Sequence, residues 1–161
     1  MKDALYVYLQ DHLAGAVFGV ELVEALEHEH EANELGRLAR TWKREIQEDQ
    51  ATLRRIAERV GATPSTVKEV VSWISERATR LKLRRHSHGA LGAFESLETL
   101  ALGISGKEKL WQALETAAQT DTRLDAIDFV QLQQRARAQH DSVEAFRRTL
   151  AASVFNPATT T

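Results

Sequence analysis

Asp49 and Gln139 stand at positions of apolar stripes where a hydrophobic residue is expected, and Asp11 and His12 share one turn of another such stretch. Folding the chain into antiparallel helical hairpins brings Asp11 or His12, Asp49 and Gln139 to one level. A His–carboxylate pair there could act as general acid and base or hold a metal. The competing reading, which is preferred, is a hydrogen-bonded network that fixes helix register, the better-attested use of isolated polar core residues. Residues 21–34 hold six glutamates and no basic residue, with His28 and His30 among them, and Glu27 with His30 matches Glu-x-x-His. At the end of a helix this reads as a solvated turn that picks up nickel or zinc weakly. Arg77, Arg80, Lys82, Arg84 and Arg85, followed by His86 and His88, form a basic stretch. Nucleic-acid binding is one use of such a patch. With few aromatic residues among these cations and a formal net charge of -2, a solvated connector or a contact with an acidic partner surface is the better reading. No serine nucleophile elbow, phosphate loop or dinucleotide fingerprint occurs. The lack of cysteine removes disulfides, thiolate metal sites and cysteine nucleophiles.

The elements that must position these residues are helices. Only two prolines occur in the 161 residues, and glycines fall where helices would stop. Leu5, Leu9, Leu13, Ala16, Val20 and Val23 repeat at three and four over residues 3–29, the period of one buried helical face. Gly15 and Gly19 on a neighbouring face each lower helix propensity by about 1 kcal/mol, and close approach of another backbone is the expected compensation. Leu35, Leu38, Trp42, Ile46, Asp49, Leu53, Ile56 and Val60 form a second stripe, ended by Gly61 as a left-handed cap. Thr63 and Pro64 read as the start of a short helix carrying Val67, Val70, Ile74 and Leu81, with Trp73 beside them. A third long helix starts near Gly89 with Leu91, Phe94, Leu97, Glu98, Ala101 and Leu102. It is expected to kink or break at residues 103–106, where Ser105 and Glu108 have capping-box spacing, and to continue through Leu110, Trp111 and Leu114. Asp128 and Gln131 offer another capping box before Leu132, Ala136, Gln139, Val143, Phe146, Leu150 and Val154. The expected organisation is a single domain over 1–155 and a disordered tail over 156–161.

Helices of this length are each about 40 Å long. Short connections make two antiparallel hairpins, and nearly thirty residues join the second long helix to the third, enough to cross the bundle. The fold expected is an all-α, antiparallel four-helix bundle with one long crossover containing a short fifth helix, a ferritin-like arrangement. Charged residues in the first stretch, Asp11 and Glu21 among them, argue against a signal peptide or membrane span, so a cytoplasmic protein is expected.

Residues 8–15 (Tyr8 to Gly15), 45–50 (Glu45 to Gln50) and 102–107 (Leu102 to Lys107) with Leu110 and Trp111, and Gln139 with Glu144 and Arg147, resemble a group of uncharacterised bacterial proteins of the ferritin-like superfamily. The likeness spans about residues 5–150 and carries no established reaction. A dinuclear iron or manganese site is what it implies, with one Glu from each of two helices and Glu-x-x-His from each of the others. Glu21, Glu45, Glu98 and Glu144 fall near one level and are the candidate ligands. The histidines are missing, however: three residues after Glu45 stands Glu48, and three after Glu144 stands Arg147. Arginine has no lone pair for a metal.

Two functional expectations follow. The preferred one is a non-catalytic structural or protein-interaction bundle, without cofactor, in which Arg147 neutralises the carboxylates of a degenerate site. The alternative is an oxygen-only site for manganese or iron, with oxidoreductase or metal-handling activity. A homodimer, with Trp73 as a natural contact, is the expected assembly.

Overall fold

The computed structural model describes residues 3–61 and 89–156. Four long helices account for most of them: α1, Ala4–Glu29; α2, Glu34–Val60; α3, Ala90–Ala117; and α4, Phe129–Phe155. A 3-10 turn, Thr122–Leu124, lies between α3 and α4, and no strand occurs among the described residues. The expected short helix after Pro64, with Trp73, the basic stretch Arg77 to His88 and the tail from 157 onward lie outside the described residues.

Local chemistry starts and stops each helix. The Asp3 carboxylate accepts the Leu5 N–H at 3.0 Å, and the Asn33 amide oxygen accepts those of Leu35 and Gly36. Asp128 accepts from the Gln131 N–H at 2.9 Å, as the capping-box spacing predicts. Gly61, at φ 107°, ends α2 in the left-handed conformation that glycine adopts without steric cost.

The break expected at residues 103–106 does not occur, since α3 is one continuous helix through both glycines and the Ser105–Glu108 box is unused. An unbroken helix keeps Leu97, Leu100 and Ile104 on the same buried face as Trp111 and Leu114, and a break would separate the two sets. Leu102, read from the sequence as part of the apolar stripe, is 70% exposed, and Leu91 is also exposed. The face actually buried lies about half a turn from them, following Leu97, Leu100, Ile104 and Trp111.

The principal packing joins α1 to α2 and α3 to α4, with a thinner seam between α1 and α3 and a thinner one still between α2 and α4. Trp42 on α2 donates its indole N–H to the Ser142 hydroxyl on α4 at 3.0 Å. Arg123 pairs with Asp3 at 2.8 Å, and Arg59 donates to the Asp125 carbonyl at 3.2 Å. These contacts gather the start of α1, the end of α2 and the α3–α4 connection at one end of the molecule. At the other end, Gly36 lets α2 begin directly against the end of α1. A Cβ there would lie 2.1 Å from the His30 carbonyl oxygen, so no larger residue fits.

The close approach expected at Gly15 and Gly19 does not occur. A Cβ at either would meet no heavy atom within 4 Å, because the facing wall on α3 is set back around Gly103 and Gly106. Gly15→Ala and Gly19→Ala should therefore each stabilise the protein by about 0.5–1 kcal/mol through helix propensity. Gly36→Ala should destabilise it by about 1–3 kcal/mol through the backbone clash. Urea unfolding of the three variants checks both signs, and a loss of stability in the first two would mean that those glycines pack against something.

Candidate functional site: a buried ion-paired layer beside a glycine-lined cavity

Asp49 is 3% exposed, which makes it a carboxylate that must find a positive partner or lose its charge. The partner is Lys107 on α3, whose Nζ lies 2.5 Å from Asp49 Oδ2. Lys107 also donates to the Gln139 side-chain oxygen on α4, and the Gln139 amide nitrogen donates to Asp49 Oδ2 at 3.2 Å. Each of three helices thus supplies one member of a closed triangle. Arg135, one turn before Gln139, brings a second cation, with Nε 3.3 Å from Asp49 Oδ1. Its Nη2 donates to the Glu45 carbonyl at 2.8 Å and to the Glu48 carboxylate at 2.7 Å.

Burial pushes the Lys107 ammonium below its ordinary value, and attraction to Asp49 opposes that shift. The side chain remains tied by two of its three N–H donors, leaving one for another group. Lys107 and Arg135 were not singled out from the sequence. For Lys107 a signal exists: Leu100, Ile104, Lys107, Trp111 and Leu114 recur at four, three, four and three, so the lysine occupies a stripe position. Arg135 flanks the buried Ala136 and carries no comparable signal.

The other candidates fall in different places. Asp11 is exposed and lies outside the layer, because the helical turn at that point buries the preceding residue, Gln10, instead. Neither amide atom of Gln10 has a hydrogen-bond partner. His12 is half-buried, with its ring edge-on to Tyr8 at 4.6 Å. Burial pushes its pKa below the usual 6.5, against the opposing effect of Asp11.

Arg147 belongs to a separate cluster nearer the start of α3. It donates from Nε to Glu144 at 2.6 Å and from Nη1 to Glu98 at 3.2 Å, and its guanidinium lies 5.2 Å from the centre of the Phe94 ring. Arg147 holds the Glu144 carboxyl below its ordinary value. Glu98 itself is exposed. Glu21 and Glu45 are half-buried, and among the described residues no three His, Asp or Glu side chains converge as a cation site. The Glu27–His30 pair is likewise not formed as a ligand set, since Glu27 pairs with Arg40 at 2.9 Å and with Lys43 across the hairpin.

Beside the Asp49–Lys107 pair lies a cavity of about 130 Å³ between α1, α2 and α3. Its walls are largely apolar, with Gly15 and Gly19 on one side and Gly103 and Gly106 on the other. Gly15 and Gly103 are exposed, so the space opens to solvent along the α1–α3 seam. His12, Asp49, Lys107 and Trp111 also line it. The Trp111 residue is fully buried, yet its indole N–H has no acceptor.

Asp49→Ala should cost about 3–5 kcal/mol at neutral pH, because it leaves Lys107 as a buried cation without its carboxylate. Replacing both partners, as Asp49→Leu with Lys107→Met, should cost far less. Asp49 raises the Lys107 pKa against burial, so without it the folded-state value falls further below the unfolded 10.5, and the variant regains more stability than the wild type as pH rises. The deficit of Asp49→Ala should accordingly narrow as pH rises toward that value, which urea unfolding between pH 7 and 10.5 would measure. His12 supplies the same case at lower pH: with a folded pKa below 6.5, the unfolded chain binds more protons once pH falls beneath 6.5. The wild-type protein should lose more stability between pH 7.5 and 5 than His12→Gln does, and equal losses would show that the imidazole is not held neutral.

Compared with known proteins, the chain matches no family model, no curated protein and no solved structure.

Proposed function

We propose that the chain is a non-catalytic helical bundle of ferritin-like arrangement, with a structural or protein-interaction role and a degenerate metal site. The observation that carries this reading is the Lys107 ammonium bonded to Asp49 in the buried layer. A dinuclear centre in such a bundle needs several carboxylates converging with free lone pairs. In this chain Asp49 is neutralised by Lys107 and flanked by Arg135, while Glu98 and Glu144 share Arg147. A divalent cation entering either cluster would meet resident cations at close range and would have to displace them.

The contacts at the two ends support the ferritin-like topology. With the start of α1, the end of α2 and the α3–α4 connection at one end, α2 and α3 run in the same sense and neighbouring helices run antiparallel. No helix among the described residues is long and apolar enough to cross a membrane.

Protein purified without a histidine tag should carry far less than one equivalent of manganese or iron per chain by mass spectrometric metal analysis. Neither metal should raise the melting temperature when added. Stoichiometric metal that is lost on Glu45→Gln or Glu144→Gln substitution would overturn the proposal and restore the carboxylate site.

A further inference from the structure

We infer that the glycine-lined cavity between α1 and α3 is a binding site for a small neutral molecule with a compact apolar body and one hydroxyl or carboxamide group. The inference goes beyond the structural role proposed above and does not depend on the ferritin-like arrangement.

Four glycines inside two helices are energetically expensive, at roughly 1 kcal/mol each relative to alanine. Glycines of that kind are ordinarily explained by a tight crossing, as at Gly36. At Gly15, Gly19, Gly103 and Gly106 a Cβ would touch nothing within 4 Å, so no crossing offsets the cost. What the four residues supply is space, and the space is a cavity of about 130 Å³. Apolar cavities of about 150 Å³ stay dry and take up molecules of benzene's size.

Polar groups of three lining residues, Asp49 on α2 and Lys107 and Trp111 on α3, define the rest of the ligand. The Trp111 N–H is buried without an acceptor. Asp49 Oδ1 accepts no hydrogen bond, although Arg135 Nε stands 3.3 Å away. Lys107 retains one N–H beyond those given to Asp49 and Gln139. Buried donors and acceptors left unmade are costly, and a ligand that completes them recovers that cost. A hydroxyl or carboxamide both accepts, from Trp111 or Lys107, and donates, to Asp49. A carboxylate would only accept. The Lys107 charge is already matched by Asp49, so an added anion would be desolvated against a carboxylate at short range. The small, open-mouthed volume excludes long acyl chains and favours aromatic or short branched bodies.

The test uses the full chain with phenol, benzyl alcohol, benzamide and benzene as probes, followed by ligand-observed NMR and thermal shift. Saturable binding is expected for all four, with the three polar probes about tenfold tighter than benzene from one completed hydrogen-bond set. Gly19→Leu, which fills the cavity from the α1 side, and Gly103→Leu, which fills it from α3, should abolish binding while leaving helical content unchanged. Trp111→Phe should remove most of the polar preference and leave benzene binding intact, so the benzene arm reports whether the pocket survives. Absence of saturable binding by every probe would overturn the inference, as would unchanged binding in both leucine variants. Light scattering on those variants supplies a further check, because a change of oligomeric state would assign the groove to a second copy of the chain instead.

Discussion

A lysine ammonium inside a helical bundle has to be met by partners fixed in space, and Lys107 is met from two other helices at once. Its bonds to Asp49 on α2 and Gln139 on α4 are compatible with one relative level of α2, α3 and α4. Sliding any one of them by a single residue turns its polar group through about 100° and moves it 1.5 Å along the axis. That would expose an unpaired charge to apolar surroundings. Apolar contacts around the layer tolerate such slips far better, since one leucine replaces another at little cost. The layer adds modestly to stability, because desolvating two charges offsets much of their attraction, but it discriminates strongly between registers. Arg135 extends the same discrimination outward through Glu48 and the Glu45 carbonyl.

The first helix has no member in this triangle. Its position is set by other means: the tight backbone approach at Gly36, the Glu27 pairs with Arg40 and Lys43, and the Asp3 bond to Arg123 at the opposite end. Between those two anchors α1 is held to α2 by apolar side chains such as Leu13, Leu22 and Leu26 and only lightly to α3. The cavity lies in that interval. Three helices are locked at one level and the fourth is fastened at its ends, and among the described residues the middle of the α1–α3 seam is where the cavity lies.

Helix starts and stops were the most legible part of the sequence, since Asp128, Gly61 and the apolar periods act locally and reach the same answer in any packing. Asp49 and Gln139 were legible as well, as polar residues standing in apolar stripes. The cation that joins them was harder to see, because a lysine reads as surface unless its place in the four-and-three spacing of Leu100, Ile104, Trp111 and Leu114 is followed through two glycines. Gly103 and Gly106 suggested a break in α3, and that expectation hid Lys107. On α1 the polar candidates were Asp11 and His12, whereas the polar residue buried there is Gln10, because burial depends on helical phase and one residue is 100° of phase. Glycines were the least legible of all. The same residue at Gly36 and at Gly19 serves opposite ends, near contact in one and empty space in the other, and only the position of the facing chain distinguishes them.

The juxtaposition of the ion-paired layer and the open seam has a consequence for what the cavity admits. Lys107 and Asp49 are at once the members of a register-setting triangle and part of the cavity wall. A ligand that drew Lys107 away from Asp49 would have to offset the loss of a buried pair, which is worth more than a small molecule of this size gains by filling the space. Occupants are therefore confined to those that use the donors and acceptors the triangle leaves over. In this way the constraint that fixes the fold also sets the chemistry of the site: the layer tolerates a neutral guest beside it and resists a cation that would compete with Lys107 or an anion that would compete with Asp49.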